Sequence, residues 1–261
     1  MLKRIITAFA ALVVFFAAIA LKPAAFAIVV SAVILIMLFE CFNAMKATVA
    51  VRCVGYASSV LLLAGLYRGQ CLEAVILSIA AFMILMIAKH GKENSKDILM
   101  PGMLVFYVTI FMSYILKVRV EYGVYGMLWI FVCAWMSDTG AYFAGTFFGK
   151  HKLIPRVSPK KTVEGSIGGI IVCVLSCMLY LFIVSKIVTE VHGVGYIAAA
   201  IMGAVASIMS QFGDLAASAI KRDCNVKDYG NIFPGHGGFM DRFDSVMFIA
   251  PFVYYFMTLI K

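Results

Sequence analysis

Apolar runs of roughly 17–25 residues follow one another almost from end to end of this chain, each long enough to cross the hydrocarbon of a bilayer as a helix. That succession excludes most folds at once. The chain of 261 residues is 64% hydrophobic and 13% charged, whereas soluble domains are about half apolar. The alternation of apolar and polar residues that a membrane barrel needs is absent. The expectation is an all-α integral membrane protein, a polytopic helical bundle.

Hydropathy places spans near 5–21, 24–41, 53–67, 72–88, 98–116, 124–148, 165–188, 194–218 and 244–260, about nine in all. Lys3 and Arg4 before the first run, with Ala25-Phe26-Ala27 after it, resemble a secretory signal. The return to membrane-grade hydrophobicity after Ala27 favours a retained span instead. With the N-terminus in the cytoplasm, sixteen of the 22 Lys and Arg fall on that side, as cytoplasmic loops favour. The same orientation puts both richest loops, 149–164 and 219–243, in the cytoplasm. Residues 1–123 then read as a plain scaffold and residues 124–261 as the functional region. The net charge of +9 suits anionic membrane lipid or a polyanionic ligand. The odd number of cysteines, 7, without CxxC or zinc-ligand spacing, reads as small core residues.

Three carboxylates fall in or at the ends of apolar runs: Glu40, Asp138 and Asp214. A charge at that depth costs about 2.5–3.5 kcal/mol even on insertion scales, so it needs a partner, a cavity or an ion. Asp138 interrupts its span within Ser137-Asp138-Thr139-Gly140, and Asp214 precedes Ser218 and Lys221 by one and two helical turns, on one helix face. Gluing of helices by buried polar groups is the plainer account. It suits Glu40 best, which has no polar neighbour in the sequence beyond Asn43.

Loop 149–164 carries five basic residues. Its charge serves topology, or Lys160 and Lys161 meet phosphate near a helix start. Thr162 and Glu164 stand two apart, an imperfect capping box. The stretch Ser218–Asp244 concentrates Lys221, Arg222, Lys227, Asp228, His236, Gly237, Gly238, Asp241, Arg242 and Asp244. Asp241 and Asp244 share one face of the last helix, and two carboxylates so placed suit magnesium, a hard ion that takes oxygen ligands. The four cations of the stretch would neutralise phosphates, and His236 serves equally as a structural donor. This is equipment for phosphoryl or nucleotidyl transfer. A solvated polar loop is the bland alternative, and an ion-coupled transporter is the rival from another class.

Ser218-Ala219-Ile220-Lys221-Arg222, Lys227-Asp228-Tyr229-Gly230 and Phe233-Pro234-Gly235-His236-Gly237-Gly238-Phe239-Met240-Asp241-Arg242-Phe243-Asp244 resemble the signature of the phosphatidate cytidylyltransferases, or CDP-diacylglycerol synthases. Ser137–Lys150 and Ser158–Gly165 are similar to two further motifs of that family, so the resemblance covers about residues 130–260. It implies reaction of CTP with phosphatidic acid to CDP-diacylglycerol and pyrophosphate, with magnesium and a second cation, potassium or another magnesium. Asp214, Asp241, Asp244 and Asp138 are the implied metal ligands. Lys221, Arg222, Lys227 and Arg242, then Lys160 and Lys161, are the implied phosphate contacts, with the Gly237-Gly238 turn and His236 beside them. Asp228 is left as ligand or support. A homodimer in a bacterial inner membrane, with no nucleic-acid partner, completes the expectation. Cytidylyl transfer to another lipid phosphate is the nearer alternative.

Overall fold

The computed structural model describes residues 2–188, 194–235 and 237–260. His236 therefore lies outside the described residues. Among the described residues eight helical elements carry the fold: α1 (Leu2–Ala20), α2 (Pro23–Ala44), α3 (Val49–Arg68), α4 (Cys71–Ala88), α5 (Ser95–Phe148), α6 (Val163–Ile187), α7 (Tyr196–Asp223) and α8 (Met240–Ile260). A short hairpin, β1 (Lys152–Ile154) and β2 (Ser158–Thr162), precedes α6. Among the described residues seven helices, α2 to α8, are long and apolar enough to cross a membrane, and α1 has a shorter apolar stretch, Phe9–Ala20.

The separate spans expected at 98–116 and 124–148 are present as the two helical arms of α5, which meet at a kink at Gly123 (φ 69°, ψ −165°). A side chain would make that conformation strained, which is why glycine marks the break. Hydropathy reads the polar stretch Lys117–Tyr122 as a gap, but a helix can carry polar turns. The same effect shifts the 219–243 boundaries. α7 continues to Asp223, with Lys221 and Arg222 in its last turn, where cations suit the helix dipole. α8 begins at Met240, so Asp241 lies in its first turn.

Two compact units are formed, Met1–Leu116 with Cys224–Arg242, and Lys117–Asp223 with Phe243–Lys261. In the first, α2 starts on Pro23, whose missing N–H costs nothing at a helix start. Arg52 ties the α2–α3 turn by donating to the Ala47 carbonyl at 2.9 Å and to Asn43 Oδ1 at 2.8 Å. Gly55 admits the Phe42 ring, and Ser59 and Thr109 hydrogen bond at 2.9 Å in the core.

In the second unit, α5 and α6 meet through small residues. Gly165, Gly168 and Gly169 face Ala141, Ala144 and the Ser137 carbonyl. Small residues are how membrane helices bring their backbones close and gain packing that lipid cannot supply. Ser137 Oγ meets Ser207 Oγ of α7 at 2.7 Å, and Gln211 Nε2 donates to the Ser166 carbonyl at 3.2 Å. Stretch 149–164, expected as a loop, holds the hairpin, which pairs Lys152 with Thr162 and Ile154 with Ser158. Thr162 caps α6 unaided, its Oγ1 accepting from Gly165 N at 3.1 Å. Glu164 turns back on the loop instead, accepting from the amides of Lys150 and His151 and meeting His151 Nδ1 at 2.6 Å.

Candidate active site

Helix α7 carries Asp214, Ser218 and Lys221 on successive turns. Ser218 Oγ donates to Asp214 Oδ1 at 3.2 Å, and Lys161 Nζ of β2 lies 2.5 Å from Asp214 Oδ2. Both oxygens of that carboxylate are thereby engaged. Asp244 of α8 is 8% exposed. Its Oδ1 accepts the following amide, Ser245 N, at 2.7 Å. The charges of Asp214, Lys221 and Asp138 all act on it. Gly213 is what lets α7 come this close to α8, since a Cβ there would stand 2.5 Å from the Asp244 carbonyl oxygen. The second unit thus gathers Asp138, Lys161, Asp214, Lys221 and Asp244, all singled out by sequence. Arg222 is exposed and donates through Nε to the Val157 carbonyl at 3.3 Å. Lys160 is also exposed.

Asp241 belongs to the first unit. Its Oδ2 accepts from Tyr229 N at 2.9 Å and from Gly238 N at 3.0 Å. Gly237, at φ +81°, lies against the same side chain, in a backbone region that favours glycine. Phe233 N donates to the Gly237 carbonyl at 2.9 Å, closing the turn. Tyr229 is buried beneath it, and burial pushes its phenol well above the ordinary tyrosine range. Lys227, Asp228 and Arg242 are exposed.

Sequence reasoning passed over Glu40 as helix glue. Its carboxylate accepts from Phe239 N at 3.0 Å and Met240 N at 2.9 Å, while Asn43 engages Arg52. A carboxylate inside an apolar run was the available signal. Glu40 also lines a recess of about 360 Å³ with Asn43, Asp228, Tyr229 and Asn231. An apolar recess of about 520 Å³, walled by Leu35, Ile36, Tyr56 and Val60, shares Phe39 and Ile232 with it.

A model of the cytidylyltransferase family matches residues 2–260. The chain belongs to the cytidylyltransferase family. It is similar to the phosphatidate cytidylyltransferase of Bacillus subtilis (strain 168), 40% identical over 156 residues, 59% of this chain and 55% of that one. The protein of that name from Thermotoga maritima is 36% identical over 166 residues, 64% of this chain and 61% of that one. The one from Haemophilus influenzae is 35% identical over 187 residues, 68% and 64% of the two chains. The aligned part of the chain thus spans 55 to 64% of the length of these relatives.

The donor set of this cytidylyltransferase-family chain suits a hard cation. Asp214 already holds the Lys161 ammonium at 2.5 Å, with buried Asp244 beside it. Carboxylate oxygens without soft ligands are what magnesium takes. The chain's soft ligands gather elsewhere. The sulfurs of Cys133, Cys173 and Cys177 lie within 4.8 Å of one another, all buried between α5 and α6, whereas Cys53 is exposed.

Proposed function

We propose that this chain transfers the cytidylyl group of CTP to phosphatidic acid, giving CDP-diacylglycerol and pyrophosphate. The substrate is the one after which its relatives are named. The observation that carries the reading is the meeting of Asp214, Asp244, Asp138, Lys161 and Lys221. A few acids and amines brought together in this way suit a polyphosphate with its cation, and have little to offer a neutral solute.

The lipid phosphate is an ionised nucleophile at neutral pH, so no strong general base is required. Its oxygen forms a bond to the α-phosphorus of CTP, the α–β bridging P–O bond breaks, and pyrophosphate leaves with the electron pair. Catalysis is then positioning and charge stabilisation. Asp214, Asp241 and Asp244, with Asp138 in support, would hold magnesium, which supplies positive charge to the nucleotide phosphates. A second cation would sit among the same acids.

Lys221, Arg222, Lys227 and Arg242, with Lys160 and Lys161, bind phosphate oxygens, and Gly237 and Gly238 let backbone amides approach them, with His236 alongside. We take the protein to be a homodimer in a bacterial inner membrane, with nine crossings, the N-terminus in the cytoplasm and the site facing CTP. The lysine and arginine distribution supports that orientation.

The test is purified protein in detergent or vesicles with phosphatidic acid, labelled CTP and magnesium. Label in a lipid product with stoichiometric pyrophosphate is expected. Absence of lipid label from folded protein, with chelator-insensitive solute flux in its place, would overturn the reading.

A further inference from the structure

Helix α8 begins without a local cap. Ser, Thr, Asp or Asn ordinarily accepts the first amides of a helix, but the residues ahead of α8 are Gly237, Gly238 and Phe239, which carry no side-chain oxygen. Asp241 supplies one half of a capping box by accepting from Gly238 N, three residues back, at 3.0 Å. The other half comes from α2. Glu40 Oε1 accepts from Phe239 N at 3.0 Å, and Oε2 accepts from Met240 N, 200 residues along the chain, at 2.9 Å. Each oxygen takes one amide, so the carboxylate straddles the helix start.

Two glycines make room for this strut. A Cβ on Gly230 would stand 2.7 Å from Glu40 Cδ, and one on Gly238 would come closer still. The fit is specific to a carboxylate at this place: Glu40 is 2% exposed, where an apolar side chain would pack without the cost of burying a charge. What the carboxylate adds is two hydrogen bonds to the backbone that carries Asp241. We infer that Glu40 is a positioning residue, holding the Gly237-Gly238 turn and the first turn of α8 so that Asp241 presents its carboxylate to the metal. The structural half of this inference stands on the hydrogen bonds; the metal half rests on the reading of Asp241 given above.

The experiment compares Glu40→Gln, which keeps volume and one acceptor, with Gly230→Ala and with the double variant. Amide hydrogen exchange on the purified full chain is the readout independent of activity. In Glu40→Gln, exchange in peptides spanning 229–242 should rise about tenfold, the factor that corresponds to one lost hydrogen bond, while α3, α4 and α6 keep their wild-type protection. In the activity assay, the magnesium concentration for half-maximal rate should rise roughly 10–100-fold, as for loss of a residue that orients a metal ligand. kcat at saturating magnesium should be largely kept. Gly230→Ala, whose Cβ would displace the Glu40 carboxylate, should do the same, and the double variant should be no worse than either single one, because both break one contact.

Unchanged exchange at 229–242, a rise spread over the whole chain, or a fall in kcat at unaltered magnesium requirement would each overturn the inference. If wild-type protein makes no CDP-lipid, the proposed function falls and the exchange pattern alone decides the role of Glu40.

Discussion

Replacing Gly169 with Ala tests the α5–α6 contact on which the second unit depends. A Cβ at that position would stand 2.9 Å from the Ser137 carbonyl oxygen and 3.2 Å from Ala141 Cβ. The first is backbone and cannot rotate away, so the helices must part by about half an ångström to restore ordinary contact. Overpacking of this kind costs about 1–3 kcal/mol. The preference of a helix for Ala over Gly offsets about 1 kcal/mol of that, leaving a net loss of up to about 2 kcal/mol. The control is Gly195→Ala, where a Cβ meets nothing within 4 Å, for which a change within about 0.5 kcal/mol is expected. Reversible unfolding in mixed detergent micelles measures both. Gly169→Ala as stable as wild type would show that α5 and α6 do not touch here, and the placing of Asp138 on α5 would go with that contact.

Asp214→Asn and Asp241→Asn should each lower CDP-lipid formation at ordinary magnesium by roughly two orders of magnitude or more in protein that remains folded; a wild-type rate in either variant removes that residue from the site. The pair Lys160→Arg and Lys161→Arg keeps the charge that sets topology, so unchanged activity would mean that these lysines serve orientation alone. Loss of activity with correct insertion is expected, since the Asp214–Lys161 contact depends on the shape of the ammonium as well as its charge.

What the sequence could reveal was decided by distance along the chain. Asp214, Ser218 and Lys221 were legible as one helix face because helical periodicity links them, and α7 holds them as that periodicity requires. Asp241 and Asp244 were legible in the same way. Lys161 could be seen as basic, but not as the partner of Asp214, because nothing local connects β2 to α7. Glu40 was misjudged for the same reason: its partners are main-chain amides about 200 residues away, and a backbone amide carries no signature in sequence. The glycines of α6 were also visible, yet their meaning depended on Ala141 and Ala144 standing opposite. Spans were found by hydropathy, but helix ends were not, because polar final turns such as Lys221–Asp223 are helical without being apolar.

The acids of the proposed site are held by two different kinds of donor. Asp241 is gripped by amides of Tyr229 and Gly238, which belong to the backbone and can leave only if the turn unfolds. Asp214 is met by an ammonium on a flexible four-carbon stem, in a pair whose side chains are 25% and 32% exposed. Such a partly exposed pair is worth about 1 kcal/mol or less, so Lys161 would give up Asp214 to a dication at little cost. On the proposed reading the ammonium, tethered on β2 directly before α6, would then neutralise the incoming phosphates. One carboxylate is therefore preorganised and the other exchangeable. On the proposed reading that asymmetry would give a single lysine two successive partners, the acid while the site awaits its nucleotide and the phosphate once it is bound.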